Sequence, residues 1–457
     1  MGSHMIDFRL FRDSFGTEEM RKVFAEDSFV QKLLDAESAL ARAEAKLNII
    51  PKEAADEISE KAKIKNINYD ELEMEIKTAK HPLVPLIRQL ESVCANNYGQ
   101  YIHLGATTQD IIDTATILQV KEAHEIIMLQ LEQLQEELMK LAKKHRDTPM
   151  PGRTHRQHAL PITFGYKTSV WLEEVNRHID RLDHVKSILF VGQLAGAVGT
   201  LASFKKEGFK VQEIFMNELG LSVPDVTWHT SRDNLTEFIF ILGMITGTAG
   251  KMANEIANLQ RTEIQELEEP FKFGKVGSST MPHKRNPSMC ENVVGLSRIV
   301  QNNSQLLLNG MIHEHERDKV SWQVEWEVIS ESCIMTAGAL STLVTVLKGL
   351  NVNISNMNKN LMITNGLILS ESLMLALGER IGKQKSHDIL YHTSMESFEK
   401  KIPLQECLLN NQEIKQHLNE DEIMDLLDPV KHTGLSAEIT DKVVTKTKKM
   451  RQELLKA

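Results

Sequence analysis

The chain has 457 residues, 41% apolar and 25% charged, values that belong to a globular protein and exclude a disordered, collagen-like or membrane-dominated one. That length is too great for one compact core, so two or three domains are expected. The formal charge of −10, from 53 basic against 63 acidic residues, argues against nucleic acid or an anionic membrane as the main partner and obliges any anionic ligand to find a local positive site.

GSHM at 2–5 reads as an expression scar, which leaves Met5 as the expected native start. No secretory leader follows it, and the longest strongly apolar run, near 238–250, is shorter than the roughly 20 residues of a spanning helix. A soluble, cytoplasmic protein is expected. Cys94, Cys290, Cys333 and Cys407 lie far apart without a CxxC pair, so buried thiols are expected rather than disulfides or a zinc site. The 24 glycines and 12 prolines are roughly 5% and 3% of the chain, below the usual 7% and 5%, and scarce punctuation predicts long helices.

In chain order, Ser28 with Gln31 reads as a capping box opening a helix through Leu47, and Pro51 opens the next after a short turn. Ile127, Leu131, Leu134, Leu138 and Leu141 recur at spacings of 4, 3, 4 and 3, the seam of a packed helix predicted over 111–145. Further helices are predicted over 168–191, 235–267 and 291–308, and no strand-like alternation of useful length is found. NVNISNMNKN at 351–360 reads as a loop or boundary. The expected architecture is all-α: an N-terminal helical domain at 1–104 with the scar at 1–4, a central long-helix bundle at 105–347 carrying the motifs, and a C-terminal helical domain at 348–457. A helical scaffold without catalysis fits this pattern as well as an enzyme does, so function has to be read from the breaks between helices.

Three breaks are unlike linkers. HLGATTQDIID at 103–113 sets Thr107, Thr108 and Gln109 before a helix; either Asp110 or the threonines cap it, or the hydroxyls and amides there cradle an anion. PMPGRTHRQHALPITFG at 149–165 carries three prolines and two glycines; no acid occurs from 148 to 172, while Arg153, His155, Arg156, His158 and Lys167 do. That is a positive field for an anion with a histidine for proton transfer. The His155 and His158 pair lacks HExxH or a cysteine neighbour, so no metal is expected. KFGKVGSSTMPHKRNP at 272–287 is again acid-free, with Lys272, Lys275, Lys284 and Arg285 among glycines and serines, as a mobile loop closing over a dianion would be. It lacks the GxxxxGK[ST] pattern of a nucleotide phosphate loop.

GSSTMPHKRNP at 277–287 resembles the signature of the fumarase/aspartase superfamily, the other two loops resemble its remaining motif regions in the same order, and FGTEEMR at 15–21 extends the likeness. The resemblance implies a homotetramer with a twenty-helix core and active sites shared between three subunits. It implies anti β-elimination, or its reverse, on a small polycarboxylate, without metal or organic cofactor. By the same resemblance Ser278 is the general base, Lys284 and Asn286 bind the carboxylate whose charge grows in the transition state, and His155 protonates the leaving group beside Glu291. Thr107, Thr108 and Thr154 match carboxylate-binding positions, while Ser279 and Gln109 match either ligand contacts or local structure.

Two branches are most similar. The adenylosuccinate lyase branch has Arg-His-Asp where this chain has Lys80, His81 and Pro82, and it shares a substrate arginine at Arg317. Its serine pair and phosphate-gripping arginine fall on Trp322, Gln323 and Trp326, and tryptophan cannot replace a bidentate guanidinium. EHER at 314–317, WHTSRDN at 228–234 and the glutamine of GATTQD are instead similar to 3-carboxy-cis,cis-muconate cycloisomerase, the branch these motifs favour. A fumarate-releasing carbon–nitrogen lyase acting on an N-substituted aspartate is the alternative. Trp322 and Trp326 either line the site or pack in a core.

Overall fold

The proline-poor windows do form helices. A computed structural model describes residues 3–271, 274 and 276–454, so Lys272 and Lys275 lie outside the described residues. The helices that matter here are α1 (Glu26–Lys46), α2 (Lys52–Lys61), α3 (Val84–Val93), α4 (Thr108–Lys144), α5 (Phe164–Leu189), α6 (Asp233–Leu259), α7 (Ser288–Asn309), α8 (Val320–Lys348), α9 (Ile354–Leu361) and α10 (Ser436–Leu454). The five seam residues of α4 are all buried, which is why the periodicity was readable. α6 and α8 each contain a window as apolar as a membrane span, but 67% and 72% of those windows are buried inside the protein, as in core helices.

Two local expectations are corrected. The first residue of α1 is Glu26 and its N-cap is Ala25, with no side-chain cap. Ser28 is helical. Gln31 instead donates to Asp35 Oδ1 (2.8 Å) and Ala62 O (3.2 Å) and accepts from Ile64 N (2.9 Å), so its amide serves tertiary contacts. Glu26 and Asp27 in the first turn favour the helix dipole without a capping box. The Asn-rich stretch is likewise not a loop: Asn353 caps α9 by accepting from Asn356 N (3.1 Å).

Strands were missed altogether. β1 (Pro149–Thr154) and β2 (Gln157–Thr163) form an antiparallel hairpin, and β3 (Leu267–Glu268) pairs with β4 (Asn351–Val352). Prolines 149, 151 and 161 hid the hairpin, because proline argues against a strand. A two-stranded ribbon consists only of edges, so the missing N–H groups cost no inner ladder bond. The register shifts between Pro151 and Arg153, and a Cβ on Gly152 would meet Leu160 O at 2.7 Å.

The described chain divides into two compact units: 1–131 with 178–249 and 295–341, and 132–177 with 250–294 and 342–457. In the first, α1 buries Leu33, Leu34, Leu40 and a run of alanines. In the second, the C-terminal residues build a leucine-rich cluster around Leu373, Leu377, Leu404 and Leu408.

Glu44 breaks the apolar pattern of α1. It is fully buried, and neither carboxylate oxygen has a hydrogen-bond partner among the described residues. Burial, with like charge from Glu37, pushes its carboxyl up to about 8 from an ordinary 4.5. The folded state therefore binds a proton that the unfolded state has released, and stability falls as pH rises from 4.5 through about 8. Glu44→Gln is expected to remove that loss. Its urea midpoint should exceed the wild type's at pH about 9, with the gap closing towards pH about 5; a gap independent of pH would contradict the assignment.

Candidate active site

In the first unit the loop before α4 is fixed by one buried carboxylate. Asp110 Oδ2 accepts from Thr107 N (2.9 Å) and Gly196 N (2.9 Å), while Oδ1 accepts from Ala195 N (3.0 Å) and bonds His229 Nε2 (2.8 Å). Gly105 has φ +77, and a Cβ there would meet the Phe204 ring at 2.6 Å, so the turn requires glycine. The loop is thereby held with Thr107 and Thr108 half-buried at the helix start.

Four of the predicted residues gather there. Arg317 Nη1 donates to Thr107 Oγ1 (2.6 Å), and Nη2 donates to the carbonyl of Ala197. His81 Nε2 lies 3.4 Å from Thr108 Oγ1. Its Nδ1 accepts from Leu83 N (3.3 Å) and Val84 N (3.1 Å), capping α3, so the proton of the neutral ring sits on Nε2. Burial, then the positive charges of His103 and Lys319, hold His81 below the usual imidazole value. One guanidinium, two hydroxyls and an imidazole N–H make a donor set suited to a carboxylate.

Gln109 turns inward. It is fully buried, and its Nε2 donates to Asp113 Oδ2 (3.2 Å) and His229 O (2.9 Å), the local structural alternative of its two readings. Below it is a charge network that sequence reasoning missed. Arg232, 1% exposed, forms a fork with Asp113 (2.8 and 3.1 Å) and a second with Glu325 (2.9 and 2.5 Å). Its guanidinium lies 4.8 Å from the Trp228 ring, and Trp322 Nε1 donates to Asp113 Oδ1 (2.9 Å). Trp322 is buried and Trp326 is 38% exposed, packed edge-on at 5.0 Å between ring centroids. WHTSRDN and VSWQVEWE held these partners in plain view, but no spacing rule joins them.

In the second unit Ser278 begins a tight loop. Its Oγ accepts from Thr280 N (3.3 Å) and Met281 N (3.1 Å), Lys284 N donates to Met281 O (3.0 Å), and Asn286 Nδ2 donates to Gly277 O (2.8 Å). A Cβ on Gly277 would meet Lys284 O at 2.2 Å, so this closure needs glycine. Ser279 and Lys284 are exposed, and Glu291 is exposed in the first turn of α7. Thr154 ends β1 and pairs with Gln157, leaving His155 and Arg156 as the exposed two-residue turn. Among the described residues no hydrogen bond joins His155 to Glu291.

The acid-free segments are less positive than their sequences imply. Arg153 is paired with Glu266 (2.5 Å), Lys167 with Glu255 (2.5 Å) and Arg285 with Glu268 (2.9 Å). His155, Arg156 and Lys284 keep exposed positions.

The architecture is predominantly helical, with a serine loop and a histidine turn in the second unit and a hydroxyl–guanidinium cluster in the first. Comparison with known proteins identifies the group. Residues 13–301 match the family profile described as Lyase, and 366–443 match the one described as Adenylosuccinate lyase C-terminus. The chain is 41% identical to N-acetyl-S-(2-succino)cysteine lyase of Dickeya dadantii, across 97% of this chain and 98% of that protein. It is 42% identical to adenylosuccinate lyase of Pyrococcus abyssi, across 98% and 99%. The solved 3-carboxy-cis,cis-muconate lactonizing enzyme of Pseudomonas putida superposes with a TM-score of 0.91 at 33% identity, covering 97% of this chain and 99% of that one. The protein belongs to the fumarase/aspartase superfamily of lyases and cycloisomerases.

Proposed function

We propose that this enzyme releases fumarate from a substituted succinate whose leaving group carries no phosphate, and that the substrate is an S-(2-succino)cysteine-type thioether. Ser278, as alkoxide, takes the proton from the carbon next to one carboxylate. The electron pair of that C–H bond becomes the new C=C bond, and the C–S bond breaks with its electrons leaving on sulfur. His155 supplies the proton that converts the departing thiolate to thiol. Lys284 and Asn286 face the carboxylate whose charge grows as the carbanion forms, a contact stronger in the transition state than in the substrate. Thr107, Thr108, Thr154 and Arg317 hold the other carboxylate, with His81 beside them.

The observation that carries the leaving-group assignment is the tryptophan pair. Where the resemblance puts a phosphate-gripping arginine, Trp326 packs on Trp322, whose N–H is committed to Asp113. Neither ring offers a cation. Trp326 also lines a cavity of about 320 Å³ whose wall sets Phe24, Phe29, Pro82 and Ile112 beside Glu26, Gln119 and Glu325, and Pro82 follows His81 in the chain. This departs from the cycloisomerase preference reached from the motifs alone, and relatives near 41% identity named for a succinocysteine support the departure.

We propose too that a homotetramer completes the site, three chains contributing, since His155 and Glu291 are exposed and apart in bonding. Fumarate release from N-acetyl-S-(2-succino)cysteine and from adenylosuccinate, and lactone formation from 3-carboxy-cis,cis-muconate, followed by absorbance on a preparation sized by light scattering, test both parts. The thioether is expected to exceed adenylosuccinate in kcat/KM by roughly 10–100-fold, the value of lost charge-assisted phosphate bonds. Faster turnover of adenylosuccinate, or formation of a lactone, overturns the substrate; an active monomer overturns the shared site.

A further inference from the structure

The segment ELEE at 266–269 has no role in the reaction described above, yet its three carboxylates touch three parts of the second unit that carry the proposed catalytic groups. Glu266 is fully buried and takes a fork from Arg153, Nη1 to Oε2 at 2.9 Å and Nη2 to Oε1 at 2.5 Å. Asn360 Nδ2 donates to the same carboxylate at 2.8 Å. Arg153 immediately precedes Thr154 and His155. The turn it adjoins has φ 49 at His155 and 68 at Arg156, left-handed backbone at two residues that are not glycine. Such conformations are unfavourable for residues with a side chain and persist only where the surroundings over-determine them.

Glu269, 3% exposed, accepts the backbone N–H groups of Met289 (3.1 Å) and Cys290 (3.1 Å) and thereby caps the first turn of α7, next to Glu291. Glu268 pairs with Arg285 (2.9 Å), which stands between Lys284 and Asn286. Gln260 closes the same junction: Oε1 accepts from Glu269 N (2.9 Å) and Nε2 donates to Arg285 O (3.0 Å). The segment itself is anchored on both sides, Glu266 N donating to Leu259 O and Asn353 N to Glu266 O, each at 2.9 Å. A single anchored strand end thus holds the hairpin, the base of the serine loop and the start of α7.

We infer that Glu266 and Glu269 are positioning residues for the elimination, Glu266 orienting through Arg153 the turn that presents His155, and Glu269 setting the helix start from which Glu291 projects. They touch no substrate. The inference rests on the catalytic roles proposed above for His155 and Ser278. Misplacing a reacting group by about 1 Å costs roughly 10²-fold in rate, so the effect belongs in kcat.

The test measures Glu266→Gln, Glu266→Asp, Glu269→Gln and Arg153→Lys in the full-length enzyme, with the compound of the panel that wild type turns over fastest. Glu266→Gln and Arg153→Lys are expected to lower kcat roughly 10²-fold, to leave KM within about threefold, and to displace the limb of the kcat–pH profile belonging to His155. Glu269→Gln should lower kcat in the same sense, and Glu266→Asp should recover at least about tenfold of the loss in Glu266→Gln. A Glu266→Gln enzyme with kcat within about twofold of wild type, or one whose loss equals its unfolded fraction by circular dichroism, overturns the inference. Ser278→Ala measured alongside separates the two failures: activity there sinks the catalytic assignment, whereas an inactive Ser278→Ala with an unimpaired Glu266→Gln sinks only the positioning role.

Discussion

Replacing Ser278 with alanine is expected to lower kcat by on the order of 10³-fold or more while KM and the thermal midpoint stay close to wild type. A serine hydroxyl is almost wholly protonated at neutral pH, so it serves as a base only where its alkoxide is stabilised. The two amides of Thr280 and Met281 already aim at Oγ in the resting hydroxyl, at 3.3 and 3.1 Å, and would bond an oxyanion more strongly than a neutral oxygen. The same bonds could instead be read as an ordinary serine turn stabilising the loop. The two readings differ in what alanine removes. A turn loses about 1 kcal/mol of local stability and leaves chemistry intact, whereas a base takes the rate with it. Single-turnover kinetics with circular dichroism on the same sample distinguishes them, and a variant within tenfold of wild-type kcat would remove Ser278 from the mechanism.

Arg232→Met is expected to cost about 3–5 kcal/mol of folding stability. The guanidinium is 1% exposed and its two forks satisfy Asp113 and Glu325, which are 1% and 5% exposed. Methionine conserves the apolar bulk but leaves two carboxylates facing one another away from water. Burial already holds Glu325 above the usual carboxylate range even with its fork from Arg232 in place. The damage should also reach Trp322 and Gln109, because both donate to Asp113. Urea unfolding monitored by tryptophan fluorescence reads both consequences. A midpoint equal to the wild type's would mean that the network contributes nothing net.

Much of the fold was legible because helix periodicity is local. The seam of α4 and the proline-poor windows located α4, α5 and α7 to within a few residues, although the 235–267 prediction ran past Leu259 into β3 and no helix was predicted over α8. Hidden features share a cause: in each, a residue's usual preference was overridden by a partner far away. Prolines disguised the hairpin that carries His155. Asparagines that signal loops served α9 as a cap, through Asn353, and as a clamp, through Asn360 on Glu266. Gln31, chosen as half of a capping box, spends its amide on Asp35, Ala62 and Ile64.

The candidate site divides in the same way. The loop 277–287 was readable because it is one contiguous motif; Gly277, Ser278, Met281, Lys284 and Asn286 bond one another within it, while Glu268 and Gln260 hold Arg285 from outside. Thr107 and Arg317 were each singled out separately, and only the folded chain joins them at 2.6 Å.

Residue order by itself therefore determined the class of fold and the superfamily, and it marked the serine loop as the candidate for chemistry, since these depend on neighbours along the chain. Tertiary structure alone decided which charges are spoken for. Arg153 meets Glu266 across 113 residues, and Arg232 meets Asp113 across 119 and Glu325 across 93. Those pairings follow from how strands and helices pack, because a buried guanidinium must find whatever carboxylate the packing brings within bonding reach, and no spacing in a sequence specifies that partner.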